Sequence, residues 1–170
     1  DSKLKYIGPR AFAPASSLAI TQLPDSVEYI GESAFSGCDN LKLTKLPFNL
    51  TQVCVQAFQN CPCLEIKEFG HTVGQTEFGA LESKLELICH DAFAGSGTTS
   101  NISDIRIKSS VKSIANQAFV RFGTSGTLRV TDDTGILDDY VEIPNGDTAV
   151  TVWVANQVFG EGRSVEFDTE

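Results

Sequence analysis

The chain has 170 residues, a length that fits one domain with a sizeable hydrophobic core. Its formal net charge is −9, and this field would repel a phosphate backbone, so a nucleic-acid partner is not expected. No apolar run approaches the roughly 18–20 residues that a membrane span needs, so no span is expected either.

A six-residue phrase recurs along the chain: an aliphatic residue, a small residue, two polar residues, a small residue and Phe. Its six copies end at Phe12, Phe35, Phe58, Phe93, Phe119 and Phe159. The first two steps between these phenylalanines are both 23 residues, and the later steps of 35, 26 and 40 residues fit the same unit with insertions. Recurrence at a fixed period is typical of repeat arrays, so the six phenylalanines are predicted to form one core column.

A second phrase lies between the phenylalanines, at residues 18–24, 41–47, 64–70 and 102–108. These short aliphatic runs alternate in part and mostly stop at Pro or Gly, which is typical of strands. The polar turn that follows each Ala-Phe pair is too short for a long helix, and it predicts a brief helical turn. Each unit would then add one strand to a sheet and one Phe to the core.

Both phrases resemble the BspA-like (treponemal-type) leucine-rich-repeat family. The resemblance is carried by Leu23-Pro24-Asp25-Ser26-Val27, Ile30-Gly31, Ala34-Phe35-Ser36-Gly37-Cys38 and Leu41. It is close over residues 18–64, degenerate over 85–119 and weak over 120–170. The fold class that it implies is an α/β repeat solenoid, predominantly β and loop. This is a right-handed leucine-rich-repeat coil with one short strand per ~23-residue unit and short helical or irregular turns.

The units are predicted to form a single domain over residues 1–170, with insertions at 71–84 and 120–150. Within the second insertion, residues 127–131 and 140–143 resemble two strands of a hairpin around residues 132–135. Such insertions are often functional surface loops, although drift, or wrapping of the terminal core by the second, would also explain them. Because the first phrase comes before any strand phrase and residues 165–167 resemble the start of another unit, the chain is predicted to be a fragment of a longer protein.

Four of the five cysteines fall at repeat positions. Cys38 and Cys61 are equivalent, and Cys54 and Cys89 both replace the small residue of the Ile-Gly pair. Equivalent positions in stacked units lie about 4.8 Å apart. This spacing suits buried thiols that pack as small hydrophobes, and it also falls within the Cα range of a disulfide, so both interpretations stay open.

Candidate chemistry is sparse in this sequence. His71 and His90 lie in no nucleophile–base signature, and the Cys61-Pro62-Cys63 motif has no second ligand pair for zinc. The acidic residues at 132, 133, 138 and 139 do not match an EF-hand loop. The prediction is therefore a protein that is not an enzyme, with no catalytic residue, metal or cofactor.

Two columns of side chains are predicted to form a binding face. The residue before the last aliphatic position of each strand should point away from the core, and this strand column is Gln22, Lys45, Glu68, Arg106 and Glu142. It mixes both charge signs, which argues against a single charged ligand. A second, aromatic-containing column is Tyr6, Tyr29, Gln52, Ser113 and Trp153. Trp153 could instead pack beneath the 120–150 insertion.

The resemblance implies a non-catalytic binding module, cell-surface or secreted, that serves adhesion or protein–protein interaction with a protein or glycan ligand. One alternative is a structural spacer or appendage domain of a larger surface or virion protein. Another is an accessory binding domain attached to an enzyme, with the chemistry elsewhere in the parent chain.

Overall fold

A computed structural model describes residues 3–70, 83–134, 137, 157–160 and 164–168. This described part is built mostly from short strands, turns and loops, and residues 157–159 are helical. Its strands are β1 (Tyr6–Ile7), β2 (Tyr29–Ile30), β3 (Gln52–Val53), β4 (Glu68–Phe69), β5 (Leu87–Ile88), β6 (Asp104–Ile107), β7 (Ser113–Ile114), β8 (Leu128–Asp132) and β9 (Val165–Asp168).

The strands pair in parallel, and each pair joins equivalent positions of two repeat units. The sheets have the orders β1-β2, β3-β5-β7 and β4-β6-β8-β9. Ile7 is in register with Ile30, and Val53 is in register with Ile88, so the first residues of successive repeat phrases lie side by side. Parallel pairing at a one-unit step is the arrangement that a stacked repeat requires.

The strand prediction was wrong at residues 18–24 and 41–47, which form no strand. Residues 41–46 and 64–69 share one burial pattern, with two exposed residues between two buried ones, so this pattern does not distinguish the two copies. The later copy forms β4, which pairs in register with β6. Strands form instead at the start of the phenylalanine phrase as well as in the later copies of the second phrase, as β3 and β4 do. The prediction of one strand per unit was therefore also wrong.

In the first five units the Ala-Phe segment is a series of turns and not a helical turn, whereas residues 157–159 of the sixth unit are helical. In five units the residue two positions before Phe has a left-handed φ of 53–60°; these residues are Arg10, Ser33, Gln56, Asp91 and Gln117. The amide N–H of each Phe donates to a carbonyl in the next unit at 2.8 to 3.0 Å, as Phe35 does to Ala57. These bonds between units hold non-glycine residues in a conformation that they rarely adopt.

The phenylalanines form a stacked column in the core. Successive rings from Phe12 to Phe159 have centroids 5.1 to 5.7 Å apart, and the first five are nearly parallel, with interplanar angles of 2–8°. All are buried except Phe12, which is 39% exposed at one end of the column. Phe69 and Phe122 join this core edge-on, with Phe69 5.0 Å from both Phe93 and Phe119.

A second column of side chains lies three residues after each Phe. The Cys38 thiol donates to the Phe12 carbonyl oxygen at 3.2 Å, and the Cys61 thiol donates to that of Phe35 at 3.0 Å. The Ser96 hydroxyl makes the same bond to the Phe58 carbonyl oxygen. These buried thiols are therefore hydrogen-bond donors between units and not merely small hydrophobes.

Strand β8 lies in the range that was predicted to be an insertion, but it belongs to the sheet of the array. It pairs in parallel with β6 on one edge and with β9 on the other. Because both edges of β8 are occupied in this way, the predicted hairpin around residues 132–135 was wrong. Residues 140–143 lie outside the described residues.

Candidate binding surface

The strand column is only partly continuous. Gln22, Lys45 and Glu68 are exposed, whereas Arg106 is half-buried. Glu68 is in register with Arg106, and Arg106 is in register with Thr131. Thr131 therefore takes the place beside Arg106 that the sequence analysis gave to Glu142, and Glu142 itself lies outside the described residues.

A groove of about 550 Å³ opens on this side of the array. Side chains of three successive units line it, including Lys45, Leu46, Phe48, Lys67, Glu68 and Lys108. The signal for this groove was present in the sequence, because Thr44-Lys45 and Lys67-Glu68 are polar pairs where strict alternation would place one polar residue. A pair of exposed residues widens the polar side of the unit and leaves room beside the aliphatic positions.

The three lysines of the groove already have carboxylate neighbours. Lys45 Nζ lies 3.5 Å from an oxygen of Asp25, and Lys67 Nζ lies 3.5 Å from an oxygen of Asp104. Both distances exceed the 2.7–2.9 Å typical of strong charge-assisted bonds, and the four side chains are about half exposed, so these ion pairs are weak. Lys108 Nζ lies much closer to Glu68, at 2.7 Å. A ligand carboxylate could displace the partners of Lys45 and Lys67 at little cost.

The second column begins with two tyrosines. Tyr6 is 67% exposed, and its ring centroid lies 6.4 Å from that of Tyr29, its register partner. The pKa of Tyr29 is raised, first by a hydrogen bond with Cys54 and second by the negative charge of Cys54 in its thiolate form. Tyr29 is therefore tied to the neighbouring unit, while Tyr6 is available to solvent.

The remainder of this column differs in one residue from the prediction. Leu87, which was not in the predicted column, lies in register between Gln52 and Ser113. Leu87 could have been found, because it precedes Ile88 just as Tyr29 precedes Ile30. Trp153 lies outside the described residues.

The described residues offer binding chemistry more readily than catalysis. They contain no group of three or more His, Cys, Asp or Glu side chains that could hold a metal ion. His90 Nδ1 lies 3.0 Å from Asp91, beside a half-exposed turn, and His71 falls outside the described range. Within the described ranges, no helix is long and apolar enough to cross a membrane.

Short parallel strands in register, a stacked phenylalanine in each unit and recurring aliphatic positions are typical of a leucine-rich-repeat protein. The particular family follows from a family model, the BspA type Leucine rich repeat region, which matches residues 1–80 and 69–141 in six copies. The chain therefore belongs to this family, as the resemblance predicted. Comparisons with curated proteins and with solved structures gave no significant match.

Proposed function

We propose that this protein is a non-catalytic binding module, displayed on a cell surface or secreted, that serves adhesion by holding a protein partner in the groove beside Lys45, Lys67 and Glu68. The observation that carries the proposal is the groove itself, about 550 Å³ and shared by three units. Membership of the BspA-type repeat family supports it, because repeats of this kind are typically protein-binding surface modules. Extended faces of repeat arrays are their usual contact surfaces.

The groove combines an apolar floor with a charged rim, which is the usual anatomy of a protein interface. Of its apolar lining residues, Leu46 is buried and Phe48 is half-buried. An apolar side chain of the partner would occupy this floor and supply most of the binding free energy. Carboxylates of the partner would pair with Lys45 and Lys67, which sets orientation and the rate of association more than affinity.

The proposal is tested with the K45E/K67E double variant of the purified chain. Binding to a panel of extracellular-matrix proteins and glycans is measured by surface plasmon resonance. For any ligand that binds the parent chain, we expect the double variant to lose about tenfold or more in affinity, equivalent to about 1.4 kcal/mol. The control is K112E, because Lys112 is 69% exposed and pairs with Glu86 beside another sheet, whose strands include β5 and β7.

Two outcomes would overturn this proposal. Equal loss of affinity in K112E and K45E/K67E would mean that the groove is not the contact surface. A well-folded parent chain that binds nothing in the panel would favour the spacer alternative. If only glycans of the panel bind, the protein would still be a binding module, but its partner would be a glycan and not a protein.

A further inference from the structure

Cys54 and Cys89 lie side by side in adjacent units. Gln52 is in register with Leu87, and Val53 is in register with Ile88. The residue that follows each of these two strands is a cysteine, Cys54 after β3 and Cys89 after β5. The Cys89 amide donates to the Val53 carbonyl oxygen at 3.0 Å, which keeps the parallel pairing intact up to this point. The Cα step between neighbouring parallel strands, about 4.8 Å, falls within the range that disulfides span.

Successive units come into close contact at this repeat position. At the equivalent place in the first pair of units, a Cβ atom on Gly31 would lie 2.6 Å from the Pro9 nitrogen and 2.8 Å from the Gly8 carbonyl carbon. A side chain at this position therefore faces the preceding unit. Cys89 occupies this position directly after β5, and its pKa is raised first by burial and then by the charge of Cys54 in the neighbouring unit.

The two cysteines differ in their access to solvent and in their hydrogen bonds. Cys89 is partly exposed, whereas Cys54 is 7% exposed. The Cys54 sulfur accepts a hydrogen bond from Gln52 Nε2 at 3.3 Å. Cys89 is therefore the thiol that a soluble oxidant reaches first.

The chain contains a matched pair with the opposite character. Cys38 and Cys61 are also one unit apart, but both are fully buried. Their thiols donate to the carbonyl oxygens of Phe12 and Phe35, so ionisation would break a buried hydrogen bond. Burial raises the pKa of Cys61 to about 12. The Cys38–Cys61 pair therefore serves as an internal control for reactivity.

We propose that Cys54 and Cys89 form a reversible disulfide that joins two repeat units across the chain segment of residues 55–88. This inference is independent of the proposed binding function. The Cα step of about 4.8 Å lies within the roughly 4.4–6.8 Å that disulfides span, so the bond can form without separating the units. Because Cys89 is partly exposed, a soluble thiol can reach the bond, and exposed disulfides have higher reduction potentials and are more easily reduced.

The oxidant is a low-molecular-weight disulfide such as glutathione disulfide. The Cys89 thiolate, as the more exposed sulfur, attacks one sulfur of the oxidant, forms a mixed disulfide and releases one thiolate. The Cys54 thiol then loses its proton, and its thiolate attacks the Cys89 sulfur and displaces the second small thiolate. Two protein thiols have lost two protons and two electrons, and one disulfide has become two thiols.

The test incubates the folded chain with glutathione disulfide, blocks free thiols with iodoacetamide and maps cross-links by mass spectrometry. Chymotrypsin cleaves after Phe58, which separates the Cys54 peptide from the peptide of Cys61 and Cys63. We expect one Cys54–Cys89 cross-link that dithiothreitol removes. Its rate of formation should rise about tenfold from pH 7 to pH 8, because the thiolate fraction rises with pH below the raised pKa of Cys89.

Two variants keep the result decisive. C54S should retain only a glutathione adduct on Cys89, and C38S should form the Cys54–Cys89 cross-link at the parent rate. A cross-link between Cys38 and Cys61, pairing of Cys89 with Cys63, or a glutathione adduct on Cys89 that never resolves in the parent chain would each overturn the proposal.

Discussion

Two regions of the array use one repeat position in opposite ways. In the earlier units the residue three positions after Phe is Cys38, Cys61 or Ser96. Each donates a hydrogen bond to the carbonyl oxygen of the phenylalanine one unit earlier. In the unit of Phe119 the same position is Phe122, which packs edge-on against Phe119 with centroids 5.4 Å apart. One region is joined by buried hydrogen bonds and the other by aromatic packing.

The difference shows that the backbone of the repeat tolerates two kinds of contact between units. The larger Phe122 is accommodated beside Phe69, which stands where other units have an aliphatic residue such as Leu46. Edge-on aromatic pairs contribute about 0.5–1.5 kcal/mol beyond the area that they bury. A buried hydrogen bond contributes a similar net amount, about 1 kcal/mol. The two kinds of contact therefore stabilise the fold by similar net amounts, but different changes should disrupt them.

The largest expected effect is that of Phe93→Ala, at the centre of the aromatic region. Phe93 stacks between Phe58 and Phe119 and also contacts Phe69 and Phe122. Its loss should lower the free energy of unfolding by about 3–5 kcal/mol in urea titrations. Phe12→Ala is the control and should cost far less, because Phe12 is 39% exposed. Similar losses for both variants would show that the aromatic cluster adds nothing special.

High pH should weaken the hydrogen-bonded region selectively. The pKa of Cys61 is raised from its ordinary 9.0 to about 12, first by burial, so the fold favours the protonated thiol. Its stabilising contribution is complete below pH 9 and is lost as pH rises towards 12. Cys61 alone should then lower the free energy of unfolding by about 1.4 kcal/mol per pH unit between pH 9 and 11.

The measurement is a series of urea titrations from pH 8 to pH 11 under reducing conditions. Cys61→Ser is the matched variant, because a hydroxyl can donate to the Phe35 carbonyl but does not ionise in this range. Its stability should fall less steeply with pH than that of the parent chain. Parallel slopes for the two proteins would assign the alkaline loss to other groups.

Ser96→Ala should have an intermediate effect. The Ser96 hydroxyl donates to the Phe58 carbonyl and accepts from the Cys61 amide at 2.9 Å, and Ser96 is fully buried. Removing the hydroxyl leaves both groups without this partner, at a cost of about 1–3 kcal/mol in thermal or urea unfolding. Ser103→Ala, at an exposed site, should be close to neutral. A neutral Ser96→Ala would contradict the role given to this column.

The smallest expected effect is on the ion pair that ties β6 to the residue after β8. Arg106 meets Asp133 in two bonds, Nε to Oδ2 at 2.8 Å and Nη2 to Oδ1 at 3.0 Å. Asp133→Ala should cost up to about 1 kcal/mol, and less in high salt. Glu166→Ala is the comparison, because its 3.6 Å contact with Arg129 is solvent-exposed and should contribute almost nothing. A salt-independent loss at Asp133 would point to packing in place of charge.

Periodicity was enough to predict the repeat and the phenylalanine positions, because one residue type returns at a recurring step, and the family was predicted from the resemblance of the repeat phrases. It could not predict the strand pairing. The second phrase is aliphatic in all its copies, yet it forms paired strands only from β4 onwards, although residues 41–46 and 64–69 have the same burial pattern. The roles of Phe69 and Phe122 were missed for a related reason, because each departs from the repeat that guided the prediction.

The candidate site was predicted less completely. Lys45 and Glu68 follow from strand phase, whereas Lys67, Phe48 and Lys108 reach the groove only through the stacking of three units. Glu142 lies outside the described residues and stays a prediction, and within them β8 places Thr131 beside Arg106 in the column. Which residues line up in the strand column depends on how each strand pairs with its neighbour, and the sequence of one unit does not determine that pairing.

The shared bend before each phenylalanine has a consequence for how such a chain changes length. Five units carry the same left-handed residue, and the Phe amide of each donates to the next unit, so the backbone at these junctions is nearly the same. The units of Phe35 and Phe58 also share the 23-residue step and the same thiol bond from Cys38 and Cys61, so duplication or loss of a whole segment there would leave new neighbours facing a surface that they already fit. The gene can therefore lengthen or shorten this part of the array without a new core, whereas a change of a few residues would shift the register.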